Sequence, residues 1–306
     1  MFIARFLEAS AVPWSEIIKY EPIIGWKPKA NLDTHYVSRD GDICHVKTDF
    51  RGWSGARSIA NSHVVVFGDS FAFGYGVHGK DSFAEQNSHV RTKGVGAPGY
   101  NMVQELLLMR ELAPELKSKM VVWFICLEND LYDNLWPYKS NFYKTPFLRS
   151  FNGKGDWEIV TNHVAPTMWT YPLHRSSYEK MLAEFCTDGF FSERAFSACM
   201  FLIKEGKDIC NRAGAQLVVF TIPNKNQLTE HGLIFLASHL NDGRRLDPDY
   251  PDKRLSEICR RWGLPFVAGK KYLKKEHYKE HDTHWNEKGN RRIAEVLGRL
   301  YESYRP

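Results

Sequence analysis

The chain has 306 residues, 43% hydrophobic and 14% aromatic, which is enough to bury a sizeable core and too apolar for general disorder. Its net charge of +5 comes from 41 Lys and Arg interspersed among 36 Asp and Glu, so no extended basic face for nucleic acid is expected. The six cysteines, Cys44, Cys126, Cys186, Cys199, Cys210 and Cys259, are scattered without a CxxC pair and read as reduced core residues.

The first segment, MFIARFLEASAVPWSEIIKY, is interrupted by Arg5, Glu8 and Pro13 and lacks the unbroken apolar core of a signal peptide or spanning helix. A cytoplasmic protein without a membrane span is the expectation. Residues 1–60, with YEPIIGWKP and a glycine- and charge-rich stretch to RGWSG, read as short strands and loops, an extension packed on a core domain of residues 61–306.

From residue 62 onward strand and helix signals alternate, which argues for an α/β fold with a parallel sheet covered on both faces. SHVVVF (62–67) is the first strand and RTKGV (91–95) a weaker second. NMVQELLLMRELAPEL (101–116) has helical spacing through Val103, Leu106, Leu107 and Leu112, and KMVVWFICL (119–127) is a continuous apolar run suited to a central strand. A helix from about Ser192 to Ala213 stops at Gly214 before the strand AQLVVFTIP. DKRLSEICRRW stops at Gly263 before LPFVA, and a last helix starts near Asn286. Between the third strand and the Ser192 helix, residues 131–190 carry Trp136, Tyr138, Phe142, Tyr143, Phe147, Trp157, Trp169 and Tyr171 without a clear period. This is an insertion whose aromatics either line a cleft or pack the insertion onto the core.

In an open parallel sheet the ligand site lies beyond the carboxyl ends of the strands. Ser70 in GDSFAFGYGV follows strand one, Gly99 in GAPGYN strand two, Asn129 in CLENDLYDN strand three, and His284 in DTHW strand five. Those residue types suit acyl transfer. A serine needs a base, and histidine supplies one near neutral pH; the histidine needs a carboxylate at its other nitrogen, for which Asp282 is nearest. The N–H groups of Ser70 and Gly99 and the Asn129 amide can hold an oxyanion. Asp69, Asp130 and Asp133 are expected to brace or cap turns.

These four blocks resemble those of the SGNH, or GDSL-type, hydrolases from about residue 62 to the end, with Gly289 following the terminal histidine block. The resemblance implies a flavodoxin-like three-layer α/β/α sandwich with a parallel sheet of about five strands, and an esterase, lipase, thioesterase, deacetylase or acyltransferase. Two positions depart from the family pattern. His281 stands three before His284, where many members have the aspartate, leaving Asp282 two before; that D-x-H-W form is similar to a branch of alginate O-acetylating proteins. Leu127 replaces the glycine usual two residues before Asn129.

Competing readings are weaker on composition. No GK[ST] or GxGxxG follows strand one, which disfavours a nucleotide loop. Ala72 stands where a GxSxG elbow has its second glycine. His277, Glu280 and His281 match HxxEH, an inverted zincin motif, but the segment is polar and lacks an apolar stripe, so a loop is expected and no metal is assigned. The densest basic run, GKKYLKKEHYK (269–279), reads as a solvated face. The expected function is a serine ester hydrolase needing no cofactor, acting on a small-molecule or carbohydrate ester; an O-acyltransferase with the same residues and a non-catalytic binding protein are the alternatives.

Overall fold

The computed structural model describes residues 11–86, 89–136, 138–139, 143–150, 155–161, 175–240 and 243–304. A short helix, α1 (Trp14–Ile17), leads into two antiparallel hairpins, β1 (Ile18–Glu21) with β2 (Gly25–Pro28) and β3 (Asp33–Val37) with β4 (Ile43–Lys47). The alternating segment then begins with β5 (Val64–Gly68), α2 (Ser70–Phe73), α3 (Phe83–Gln86), β6 (Thr92–Gly96), α4 (Met102–Leu112), β7 (Met120–Cys126) and α5 (Asp130–Asp133). In the insertion, short strands β8 (Tyr138–Lys139), β9 (Tyr143–Lys144), β10 (Phe147–Ser150) and β11 (Trp157–Val160) pair as two hairpins, followed by α6 (Arg175–Phe185). The chain returns through α7 (Phe190–Ala213), β12 (Gln216–Ile222), α8 (Glu230–Ala237), α9 (Tyr250–Arg261), β13 (Phe266–Ala268) and α10 (Glu287–Ser303).

Five of these strands form one parallel sheet in the order β13-β12-β7-β5-β6, with Val64 opposite both Thr92 and Met120 and Gln216 opposite Met120. Successive strand residues point to opposite faces. Val65, Phe67, Trp123, Ile125 and Val219 therefore meet α4, α7 and α9 on one side, while Val66, Val122, Phe124 and Phe220 meet α10 on the other. Both faces are buried, which is why the strands are continuous apolar runs and why the fold is a three-layer α/β/α sandwich. Gly214 and Gly263, with φ of 69° and 65°, end α7 and α9 in the left-handed conformation expected of them. All six cysteines are buried and free. No described helix is long and apolar enough to cross a membrane.

Two of the links that fasten the N-terminal segment to the core lie on and just after β6. Lys93 on β6 is 1% exposed, pairs with Asp49 at 2.9 Å and donates to the carbonyls of Trp53, Ser54 and Gly55. The Trp26 indole N–H donates to Pro98 O at 3.2 Å, and the Tyr100 hydroxyl donates to Trp26 O at 2.6 Å.

Candidate active site

The strand β5 runs straight into α2, and Asp69 caps that turn: its Oδ1 accepts from the Phe71 N–H at 3.0 Å. Ser70 is thereby held as the first residue of a helical turn at the carboxyl edge of the sheet, next to the point where strand order reverses. The side chains after it divide by direction. Phe71 packs against His284 and Trp285, whereas Phe73 and Tyr75 meet Trp14 with ring centroids 5.4 and 5.7 Å away.

His284 lies in the loop between β13 and α10. A bridge between Tyr278 and Trp285 ties that loop to itself, with the Lys279 N–H donating to His284 O at 2.9 Å. Lys225, in the turn after β12, donates to the carbonyls of Glu280 and Asp282 at 2.9 and 2.8 Å. So held, His284 Nε2 stands 2.7 Å from Ser70 Oγ, and Nδ1 stands 2.9 Å from Asp282 Oδ1. The imidazole is flanked by the rings of Phe71 and Tyr75 at 5.2 and 4.8 Å.

Asp282 is 2% exposed. Burial by itself would raise its pKa, but the His284 hydrogen bond and charge, the Thr283 N–H and the charge of Arg39 together hold it well below the usual carboxylate range. An ionised Asp282 accepts a hydrogen bond from the Nδ1–H, which leaves the Nε2 lone pair to accept from the Ser70 hydroxyl. Burial pushes the Tyr75 phenol up to about 12, so that ring stays neutral beside the histidine.

Gly99 has φ +87°, a backbone conformation that disfavours any Cβ, so the turn itself favours glycine there. Neither its N–H nor that of Ser70 meets a protein acceptor among the described residues. The Asn129 amide donates to Asp69 Oδ2 at 3.4 Å, which ties the third loop to the first and leaves its second hydrogen for other use. Leu127 is fully buried in the core, and its N–H donates to Ile222 O at 3.0 Å. With Leu127 held in this way, Asn129 remains in contact with the Ser70 loop.

Ser70, Gly99, Asn129 and His284 line a single cavity of about 430 Å³. Asp130 accepts from the Cys126 N–H at 2.7 Å, and neither it nor the buried Asp133 lines the cavity. The sequence reading did not anticipate Trp14, Arg39 and Tyr178, which share the cavity wall. The first two belong to the N-terminal hairpin region, 31 or more residues before Ser70, and no local pattern marks such a long-range contact. Of the insertion's aromatics, Trp157 packs on the core with its indole N–H on Ser197 at 3.1 Å, and Trp136 stacks on Tyr132. Phe142, Trp169 and Tyr171 lie outside the described residues.

The HxxEH segment does not form a helix. His277 ends a 3₁₀ turn with its Nδ1 accepting from the Lys274 N–H, and the His281 side chain is 81% exposed. Within the basic run, Lys270 pairs with Asp249 and Asp252 and Lys279 with Asp42, so two of its charges are consumed by structure.

No protein-family model and no curated protein matches this chain. Among solved structures it is similar to a GDSL-like lipase from Bacteroides thetaiotaomicron, at 14% identity and a TM-score of 0.40, over 81% of this chain and 92% of that one. It is also similar to a carbohydrate acetylesterase family member from Sinorhizobium meliloti, at 9% identity and a TM-score of 0.44, over 78% of this chain and 97% of that one.

Proposed function

We propose that this protein is a serine-dependent ester hydrolase working through an acyl-enzyme. The observation that carries this reading is the unbroken chain from Ser70 Oγ through His284 to buried Asp282, at 2.7 and 2.9 Å, on the wall of an open cavity. Ser70 Oγ attacks the ester carbonyl carbon as its proton passes to His284 Nε2. The oxyanion is held by the N–H groups of Ser70 and Gly99 and by the Asn129 amide, each donor being worth about 10²–10³ in rate. Collapse expels the alcohol, which takes the proton from His284. Water then gives a proton to His284 as its oxygen attacks the acyl carbon; the C–Oγ bond breaks as His284 Nε2 returns that proton to Ser70 Oγ, and the acid leaves. These steps balance without a metal or an organic cofactor.

For the substrate we read a short acyl group, such as acetyl, on a carbohydrate or glycosylated small molecule. A volume of about 430 Å³ suits a sugar-sized ligand, and Trp14 and Tyr178 place aromatic rings in its lining.

Intact mass after exposure to a fluorophosphonate tests the central claim. A single adduct on the wild type, absent from Ser70→Ala and strongly slowed in His284→Ala, is expected. A folded wild type that takes no label would remove the nucleophile and the hydrolase reading with it.

A further inference from the structure

The cavity that holds Ser70 contains one arginine among its described lining residues, Arg39, and it comes from outside the α/β core. It sits in the turn between β3 and β4 and is exposed. That turn is fixed in place. The Arg39 N–H donates to the Tyr75 hydroxyl at 3.0 Å, and the Tyr36 hydroxyl accepts from the Gly76 N–H at 2.9 Å. His78 Nδ1 accepts from the His45 N–H at 3.1 Å, and Asp42 pairs with Lys279, whose side chain is 7% exposed. Arg39 is thus delivered to the cavity by a docked hairpin.

Its guanidinium has no hydrogen bond or ion pair among the described residues. Arg51, Arg57, Arg149, Arg244, Arg254 and Arg292 each stand against a glutamate. The carboxylates around the cavity do not use Arg39 either. Asp69 accepts from Phe71 and Asn129, Glu128 accepts from the Asn224 amide at 2.7 Å, and Asp282 accepts from His284. The charge of Arg39 nevertheless reaches both Tyr75 and Asp282, the groups that flank and orient the histidine.

Resting on the hydrolase reading above, we propose that Arg39 is the specificity-determining residue of this cavity and binds a carboxylate carried by the ester substrate. A planar fork of N–H donors matches a carboxylate in two-point contact. The ligand is singly charged, because one cation faces a wall that also contains the acidic side chains of Glu128 and Asp69. The substrate class is therefore an acidic ester, such as an acylated molecule with a free carboxyl group.

Matched probes, 3- and 4-acetoxybenzoate against the corresponding acetoxybenzamides, separate this proposal from the hydrolase reading. The wild type is expected to prefer the carboxylates by about 10- to 100-fold in kcat/KM, the range of a charge-assisted contact. Arg39→Gln should lose that preference, its kcat/KM falling at least about 10-fold further on the acetoxybenzoates than on the acetoxybenzamides, and Arg39→Lys should keep part of it. Equal turnover of both probe types by the wild type, or an equal loss on both in Arg39→Gln, overturns the proposal and leaves the hydrolase intact. If the wild type turns over neither, the hydrolase reading falls, and calorimetric titration decides for Arg39 alone. Carboxylate binding to Ser70→Ala that disappears in the Ser70→Ala, Arg39→Gln double variant upholds the anion site; no difference between carboxylate and amide removes it.

Discussion

The floor and the wall of the cavity are built in different ways. Its floor is the carboxyl edge of a sheet whose strands are buried on both faces: Val64 to Phe67 and Met120 to Ile125 are 1% exposed or less. Its wall includes the β3–β4 hairpin, half-exposed along its length and carrying a small cluster of Ile17, Tyr36, Cys44, Val46 and Phe73. The floor is held by apolar burial and ladder hydrogen bonds, the wall by a handful of polar links and aromatic edges. Proposed chemistry thus sits at the edge of the sheet and proposed selectivity on an exposed turn docked by polar links, so the selecting residue can be exchanged without altering the sheet.

Substitutions that strike one side should leave the other readable. The largest effect is expected at the floor. Asp282→Asn should lower kcat by about 10³- to 10⁴-fold, because the amide favours the wrong imidazole tautomer. The same variant has a stability signature. The Asp282 carboxyl titrates lower folded than unfolded, so it stabilises the fold fully above about pH 4 and ceases to as pH falls through its folded value. Acid denaturation curves of wild type and Asp282→Asn should differ in that window, with the wild type losing more.

Next in size is the fastening of the extension. Lys93→Met leaves buried Asp49 and three carbonyls without their cation, and chemical denaturation should show a loss of about 3–5 kcal/mol. A change under 1 kcal/mol would mean that the extension contributes little to the fold. Asn129→Ala should reduce kcat by about 10²–10³ with little change in KM, the mark of a donor used only at the transition state. A mainly KM effect would reassign it to ground-state binding.

The smallest effect is expected at the hairpin tip. Asp42→Asn weakens the link to Lys279, which retains Asp40 at 3.9 Å, and should raise KM for a carboxylate-bearing ester by about 3-fold with kcat unchanged. An equal effect on neutral esters would show that the hairpin shapes the whole cavity instead of selecting charge.

The floor was legible in the sequence for a physical reason. Strand and helix periods, glycine stops and the order of elements are local properties, and in a parallel sheet they imply that Ser70, Gly99, Asn129 and His284 leave by the same edge. Residue type then suggested which groups bear on chemistry, and Asp282 was chosen by proximity in the chain. The wall was not legible. Nothing near Arg39 or Trp14 signals the cavity, and Lys93 within RTKGV looks like an ordinary strand residue although it is buried against Asp49, 44 positions earlier. The HxxEH run shows the converse, a local motif that the loop conformation prevents from forming a helical ligand pair.

By itself, then, the sequence determined the alternation of strands and helices, the buried character of the sheet and the loops that meet at its edge, because these follow from side-chain pattern and backbone preference within a few residues. Only the tertiary structure decided that Ser70 Oγ and His284 Nε2, 214 positions apart, stand within a hydrogen bond, and that Arg39 shares their cavity. Those distances depend on how the β13–α10 loop is pinned by Lys225 and how the hairpin docks on Tyr75 and Lys279, contacts between groups that no local pattern couples.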